Sequence, residues 1–287
     1  MARSLAVPTA RSLSTARAAW LPKRWYIHAL LWLAIGIIGF PLFYALTVST
    51  QTNAQVFRYQ LTPGNNLIVN WNLVMGDRFL WLYMLNSFGM AVSIAIGKTL
   101  LSLLAGLAFV YFRFPGKWLV FGFVLLTLMM PTEVIFIALF RFVSNLEMPA
   151  YLNLVVPFLA SATGTFLFRQ HFASIPAELS EAAQLDGATP LDYLFRVLVP
   201  ISWNTIGALV VIQFLYAWNM YLWPRMIITS QETQVVQVGL RTLLAVETGV
   251  SYGPLMLAAV LASIPPVLIF VLLQKQFMSG FSLTRDK

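Results

Sequence analysis

The sequence contains no cysteine. Disulfides, thiol nucleophiles and cysteine-ligated metals are therefore excluded. Histidine is nearly absent: His28 and His171 stand far apart, a poor basis for a histidine metal site. Charge is scarce as well. Only 10% of the 287 residues are Asp, Glu, Lys or Arg, while 59% are hydrophobic. A soluble domain needs more charge than that to cover its surface. Acids are the rarer sign, ten against 18 Lys and Arg. They fall mostly in loops and apart from one another, so no paired-acid constellation or hydrolytic triad can be assembled. No catalytic residue and no metal site are expected, and an intramembrane enzyme has nothing to work with. The net charge of +8 is spread over loops and tails, which points to membrane topology rather than to nucleic acid.

What the sequence does hold is long apolar runs, at roughly 27–48, 85–112, 118–142, 151–170, 205–224 and 254–274, with a mean hydropathy of +0.78 overall. Each is near or above the ~20 residues that cross a bilayer as a helix. The expected fold is an all-α membrane protein with six transmembrane helices and both termini on one side. Twelve Lys and Arg lie in the N-terminal tail, the 113–117 loop, the 169–204 loop and the C-terminus, against Arg58, Arg78, Arg141, Arg225 and Arg241 on the other side. The positive-inside rule makes the richer side, and both termini, cytoplasmic. Residues 1–24 hold five Lys or Arg and no acid. They resemble a transit peptide, but a basic cytoplasmic tail is the plainer expectation. Residues 25–280 then form one six-helix domain, and 281–287 a cytoplasmic tail. Aromatic residues crowd the span ends, among them Trp25, Trp81, Tyr83, Trp118, Tyr221 and Trp223, as a membrane-interface belt predicts.

Four features break the apolar pattern. Gly97-Lys98-Thr99 ends like a phosphate-binding loop, but Val92 stands where that motif needs a glycine. Lys98 is instead expected near a span end or facing a partner helix. Pro131-Thr132-Glu133 interrupts the third run, and Glu133 calls for a wet cavity or an interhelical contact. Pro265-Pro266 suggests a bent last helix. In Trp218-Asn219-Met220-Tyr221, the amide of Asn219 amid aromatic rings fits a solute hydroxyl or an interhelical hydrogen bond. Glu133, Trp218, Asn219 and Tyr221 are the candidate lining of a translocation pathway.

The loop from His171 to Asn204 reads as two short helices. Pro176 and Glu178 suit a helix start, and Leu179, Ala182 and Ala183 share a face. Gly187 stops that helix, and Thr189-Pro190-Leu191-Asp192 restarts a second one with Thr as N-cap. Leu191, Leu194, Phe195 and Leu198 form its predicted apolar stripe, and Pro200 is expected to end it. A small-residue face on a rigid turn suits docking with another protein.

Here the residues carry a family resemblance. Glu181-Ala182-Ala183, three residues, Gly187, nine residues, then Val197-Leu198-Val199-Pro200 is similar to the signature of permease subunits of binding-protein-dependent ABC importers. Two valines replace its usual Ile and Leu, while Asp186 and Ala188 match its common Asp-Gly-Ala form. The resemblance covers nearly the whole chain and is to the maltose-type carbohydrate uptake group. It implies a coupling loop at 171–204 in which Glu181, Ala182, Ala183, Asp186, Gly187, Ala188 and Pro200 meet an ATPase. The implied partners are a homologous permease forming a heterodimer, two ATP-binding cassette subunits, an extracytoplasmic solute-binding protein and the lipid bilayer of a bacterial inner membrane. ATP and Mg would be used by those ATPases, with no cofactor bound by this chain. Residues 85–115, 127–134, 161–172 and 218–224 look most like permeases of sn-glycerol-3-phosphate importers, and several also resemble sugar permeases. The implied solute is glycerol 3-phosphate or a glycerophosphodiester, with an oligosaccharide as the alternative. An ion-driven secondary transporter would instead need midplane acids or an inverted repeat, and neither is evident.

Overall fold

The structure is a computed structural model that describes residues 25–244 and 250–281. The basic tail 1–24 and residues 282–287 of the C-terminal tail lie outside the described residues. Two compact units are distinguished, Met1–Tyr44 and Ala45–Lys287. The first helix, α1 (Trp25–Val48), starts in the first unit and is apolar on all sides, as a lipid-facing span must be.

In the second unit, all the regular elements among its described residues are helices. Two short helices, α2 (Asn53–Phe57) and α3 (Leu67–Asn72), precede the longest one, α4 (Leu80–Tyr111). Next come α5 (Lys117–Leu128), α6 (Thr132–Ser144), α7 (Ala150–Val155) and α8 (Ala162–Ala173). Short pieces follow: α9 (Ala177–Leu185), α10 (Pro190–Tyr193) and α11 (Val199–Ile201). Then run α12 (Trp203–Trp218), α13 (Leu222–Ile227), α14 (Val236–Leu244) and α15 (Tyr252–Phe281).

Helices α1, α4 and α15 are each long and apolar enough to cross a membrane. Two bent pairs raise the number to five: α7 with α8, inclined by 41°, and the 190–201 segment with α12, inclined by 83°. The expected span at 118–142 is divided differently. It is two apolar helices, α5 and α6, parted at Met129–Pro131. Pro131 has an extended backbone there, φ −61° and ψ 125°, and stands as the N-cap of α6. A proline in the middle of the run thus starts a new helix rather than kinking an old one, because it has no N–H to continue the ladder. Pro265 and Pro266 act otherwise: α15 runs through both unbroken.

The packing centres on α4, which lies between α8 and α12, with α15 against the far face of α12. Glycines let the helices approach. A Cβ on Gly106 of α4 would sit 2.8 Å from the Cβ of Phe168 on α8, and one on Gly164 of α8 would overlap the side chain of Ser102 on α4. Small residues serve this purpose in membranes, where close backbone contact replaces the hydrophobic drive. Two apolar clusters result. One gathers Met90, Ile94, Phe158, Phe214, Trp218 and Trp223. The other gathers Leu103, Leu107, Phe168, Phe172, Leu194 and Leu209. Between them on α4 lie the buried polar residues Lys98, Thr99 and Ser102. Tyr83 and Trp223 belong to the first cluster and are buried, so they are core residues rather than members of the interface belt. Trp223 explains why: its indole N–H finds a partner inside, the Asn153 carbonyl at 3.1 Å.

Candidate functional site

Two polar interruptions organise the chain: an elbow at 177–202 and a wall near the middle of α4 and α12.

The elbow begins with α9. Its C-terminus closes as a left-handed glycine cap. Gly187 has φ +75°, its N–H donates to the Gln184 carbonyl at 3.1 Å, and the Ala188 N–H donates to the Ala183 carbonyl at 2.9 Å. A side chain at position 187 would meet open space, so the glycine is there for its backbone alone. The next helix starts on the capping box that the sequence predicts. The Asp192 N–H donates to Thr189 Oγ at 3.2 Å, and the Thr189 N–H donates back to the Asp192 carboxylate at 3.3 Å. Arg196 adds an exposed ion pair to Asp192 at 3.4 Å.

The predicted stripe of the second helix needs correction. Leu194 and Leu198 are fully buried, but Leu191 and Phe195 are exposed, and Tyr193 is buried instead. A widened turn follows over Leu194–Leu198, in which the Val199 N–H donates to the Leu194 carbonyl five residues back. A wide turn makes room for the ring of Pro200, which would otherwise press on the carbonyl four residues before it. The helix also does not stop at Pro200. It continues to Ile201, and the chain turns at Ser202 into α12.

The elbow is fixed to the bundle by the second helix. The Tyr193 ring meets Tyr111 edge to face at 5.2 Å, with the Tyr193 hydroxyl donating to that of Tyr111 at 3.2 Å. No residue of helix α9 is fully buried. Of its expected face, Ala183 turns half-buried toward the second cluster together with Ser180, while Leu179 and Ala182 stay outside. Glu181, Asp186 and Gly187 are exposed, Ala188 is half-buried, and Leu185 is 89% exposed. A leucine that bare at the end of a helix with no fully buried residue is an unpartnered surface.

The wall is built from residues far apart in sequence. Lys98, only 8% exposed, donates to Gln213 Oε1 of α12 at 3.0 Å and lies 4.5 Å above the ring of Tyr216. Gln213 Nε2 in turn reaches Ser161 Oγ, the N-cap of α8, at 3.4 Å. The expectation that Lys98 faces a partner helix thus holds. Among the described residues its partners are neutral; an ammonium so placed is costly inside a membrane protein, and such residues mark function.

Helix α12 stops one turn beyond Tyr216. Asn219 caps it, with Nδ2 donating to the Leu215 carbonyl at 2.8 Å, and its Oδ1 accepts from Gln237 Nε2 of α14 at 3.3 Å. The amide is exposed and lines a cavity of ≈ 450 Å³ with Tyr216, Tyr221 and Phe136. Of the four pathway candidates, the structure brings Asn219 and Tyr221 together at this cavity. Trp218 points elsewhere: it is 1% exposed and stacks on Phe214 in the first cluster, with ring centres 5.8 Å apart. Glu133 falls in the first turn of α6, and its side chain lies outside the described residues. Tyr216 and Gln237 escaped the sequence reading, because each acquires meaning only from a distant neighbour.

Comparison with known proteins decides what this architecture belongs to. The family model for the inner membrane component of binding-protein-dependent transport systems matches residues 98–282. The chain belongs to that family. The matched segment of this permease contains both the elbow and the wall. Relatives in bacteria include the sn-glycerol-3-phosphate transport system permease protein UgpE of Escherichia coli K12, 39% identical over 265 residues, covering 89% of this chain and 94% of the relative. The protein of that name in Brucella melitensis is 38% identical over 268 residues, covering 88% and 94%. These relatives are transport permeases and not enzymes. The fold matches a crystal structure of a bacterial ABC transporter involved in importing the acidic polysaccharide alginate, with a TM-score of 0.78 at 20% identity over 91% of this chain and all of that one. The permease is therefore an inner-membrane component with several apolar helices, and its fold is that of an ABC importer permease.

Proposed function

We propose that this permease is one transmembrane half of an ATP-driven importer for glycerol 3-phosphate or a glycerophosphodiester. The observation that carries the reading is the near full-length identity of 39% to glycerol-3-phosphate permeases. A homologous permease completes the pathway in this proposal. Two ATP-binding cassette subunits hydrolyse ATP with Mg, and a solute-binding protein delivers cargo from outside.

The elbow faces the cytoplasm and enters a groove on an ATPase subunit, with both termini on the same side. Support comes from the excess of Lys and Arg on that side and from the unpartnered surface of α9. Glu181, Ala182, Asp186 and Gly187 present that surface, while Ala183, Ala188 and Pro200 shape the turn behind it. Closure of the ATPases on ATP pushes α9, and the anchored second helix passes the push to α4 and α12 through Tyr193, Leu194 and Leu198. The helices then move as bodies around the central cavity. This chain contributes pathway and lever and binds no nucleotide.

The test is uptake by the assembled complex in proteoliposomes. Glycerol 3-phosphate should accumulate only with ATP available to the ATPases, and Glu181→Lys should abolish accumulation without loss of the membrane-embedded permease. Uptake that survived without ATP and followed an ion gradient would make the protein a secondary transporter. Unchanged ATPase docking and uptake in Glu181→Lys would remove the elbow from the coupling path.

A further inference from the structure

We infer that Tyr216, Asn219 and Tyr221, backed by Lys98 and Arg241, form the subsite that receives the phosphate of the transported solute. The inference rests on the phosphate-ester reading above and names the residues that would give it chemical selectivity.

Two cations converge on this strip from different helices. Lys98 Nζ of α4 lies 4.5 Å from the centre of the Tyr216 ring, and the Arg241 guanidinium of α14 lies 5.1 Å from that of Tyr221. Both rings line the cavity of ≈ 450 Å³, a volume within the range of about 300–1,000 Å³ typical of small-molecule sites. Among the described residues neither cation is paired with a carboxylate. Lys98 has a neutral amide for company, and Gln213 cancels none of its charge. In a low-dielectric wall, uncompensated positive charge acts over several ångströms, so Lys98 attracts an anion from behind the ring without touching it.

Asn219 sits between the two rings and completes the chemistry. An Asn or Gln amide has two N–H donors. One of Asn219's is spent on the Leu215 carbonyl and one of Gln237's on Asn219 itself. One donor on each remains, on exposed Asn219 and half-buried Gln237, suited to phosphate oxygens or to the hydroxyls of a glycerol backbone. The strip also lies where α12 ends and α13 begins at Leu222. Interrupted helices line the cavities of membrane proteins because irregular backbone is tolerated only there. A phosphomonoester, with a charge of about −1.5 to −2 at pH 7, is the best match to two cations. A zwitterionic phosphodiester gains far less.

The experiment compares ATP-dependent uptake of glycerol 3-phosphate and of glycerophosphocholine by the complete complex. Variants are Lys98→Met, Arg241→Gln and Arg241→Lys, with assembly and ATPase activity measured in parallel. Lys98→Met and Arg241→Gln are each expected to lower uptake efficiency for glycerol 3-phosphate by about tenfold, the effect of ~1.4 kcal/mol. Glycerophosphocholine, whose monoanionic phosphate sits beside its own cation, is expected to lose markedly less, and Arg241→Lys to keep the wild-type ratio between the two solutes. Equal losses for both solutes in Arg241→Gln, an exposed position that the fold does not need, would overturn the subsite. So would an unchanged ratio in both neutralising variants. Failure of the wild-type complex to import either solute would overturn the phosphate-ester reading itself, a result separate from the ratios.

Discussion

The elbow and the wall both place polar groups in an apolar chain, yet they are held in opposite ways. In the elbow the bonds that shape the turn are local, while Tyr193 ties it to Tyr111 of α4. Thr189 and Asp192 cap each other, and Ala188 reaches back to Ala183. In the wall the partners come from afar: Lys98 with Gln213, 115 positions apart, and Asn219 with Gln237, 18 apart. Local bonds need little of the bundle to form, so the elbow can move as a unit. Distant bonds exist only while the helices stay packed, so the wall reports the state of the whole bundle. That contrast suits a lever at one end of α12 and a cavity at the other.

Substitutions can break the comparison or sharpen it. The largest effect is expected at the seam that holds the wall. Gly164→Leu drives a side chain into Ser102 and should destabilise by about 1–3 kcal/mol or more, read as lost thermal stability of the purified permease. Next comes Gly187→Val. With φ at +75° and open space around it, the cost is pure backbone strain, about 1–2 kcal/mol. It should fall on the elbow alone: coupling lost in an ATPase-stimulation assay, bundle stability kept. If the whole permease melted earlier by as much as Gly164→Leu, the elbow would not be an independent unit. Thr189→Ala removes one cap and should cost about 1 kcal/mol, visible as faster amide exchange over 189–193. The smallest change is Asn219→Ala. It removes two solvent-exposed bonds, to Leu215 and from Gln237, which water replaces at a cost below about 0.5 kcal/mol, and should leave the melting temperature nearly unchanged.

Much of the elbow was legible because its signals are short-range. Thr-Pro-Leu-Asp announces a helix start, and the Glu-Ala-Ala to Gly spacing announces where the preceding one stops. The stripe of the second helix was misjudged for an instructive reason. Periodicity assumes 3.6 residues per turn throughout, whereas the second helix changes to one wider turn at Leu194–Leu198, and Tyr193 is buried while Leu191 and Phe195 are outside. The wall was less legible. Lys98 stood out as an ionisable residue in an apolar run, and Asn219 as an amide among rings. Trp218 looked like their companion in sequence but faces the opposite side of α12, into the core.

The sequence by itself determined the class, the apolar helices, the caps of the elbow and the family signature from Glu181 to Pro200. Each rests on composition or on contacts within a few residues, which chain order already contains. Only the tertiary structure decided that Tyr83 and Trp223 are core, and that Lys98, Gln213 and Ser161 share one layer between two apolar clusters. Those facts depend on which helix faces which. Apolar helices of similar composition offer almost no choice between partners in sequence, and close approach at glycines such as Gly106 and Gly164 makes that choice.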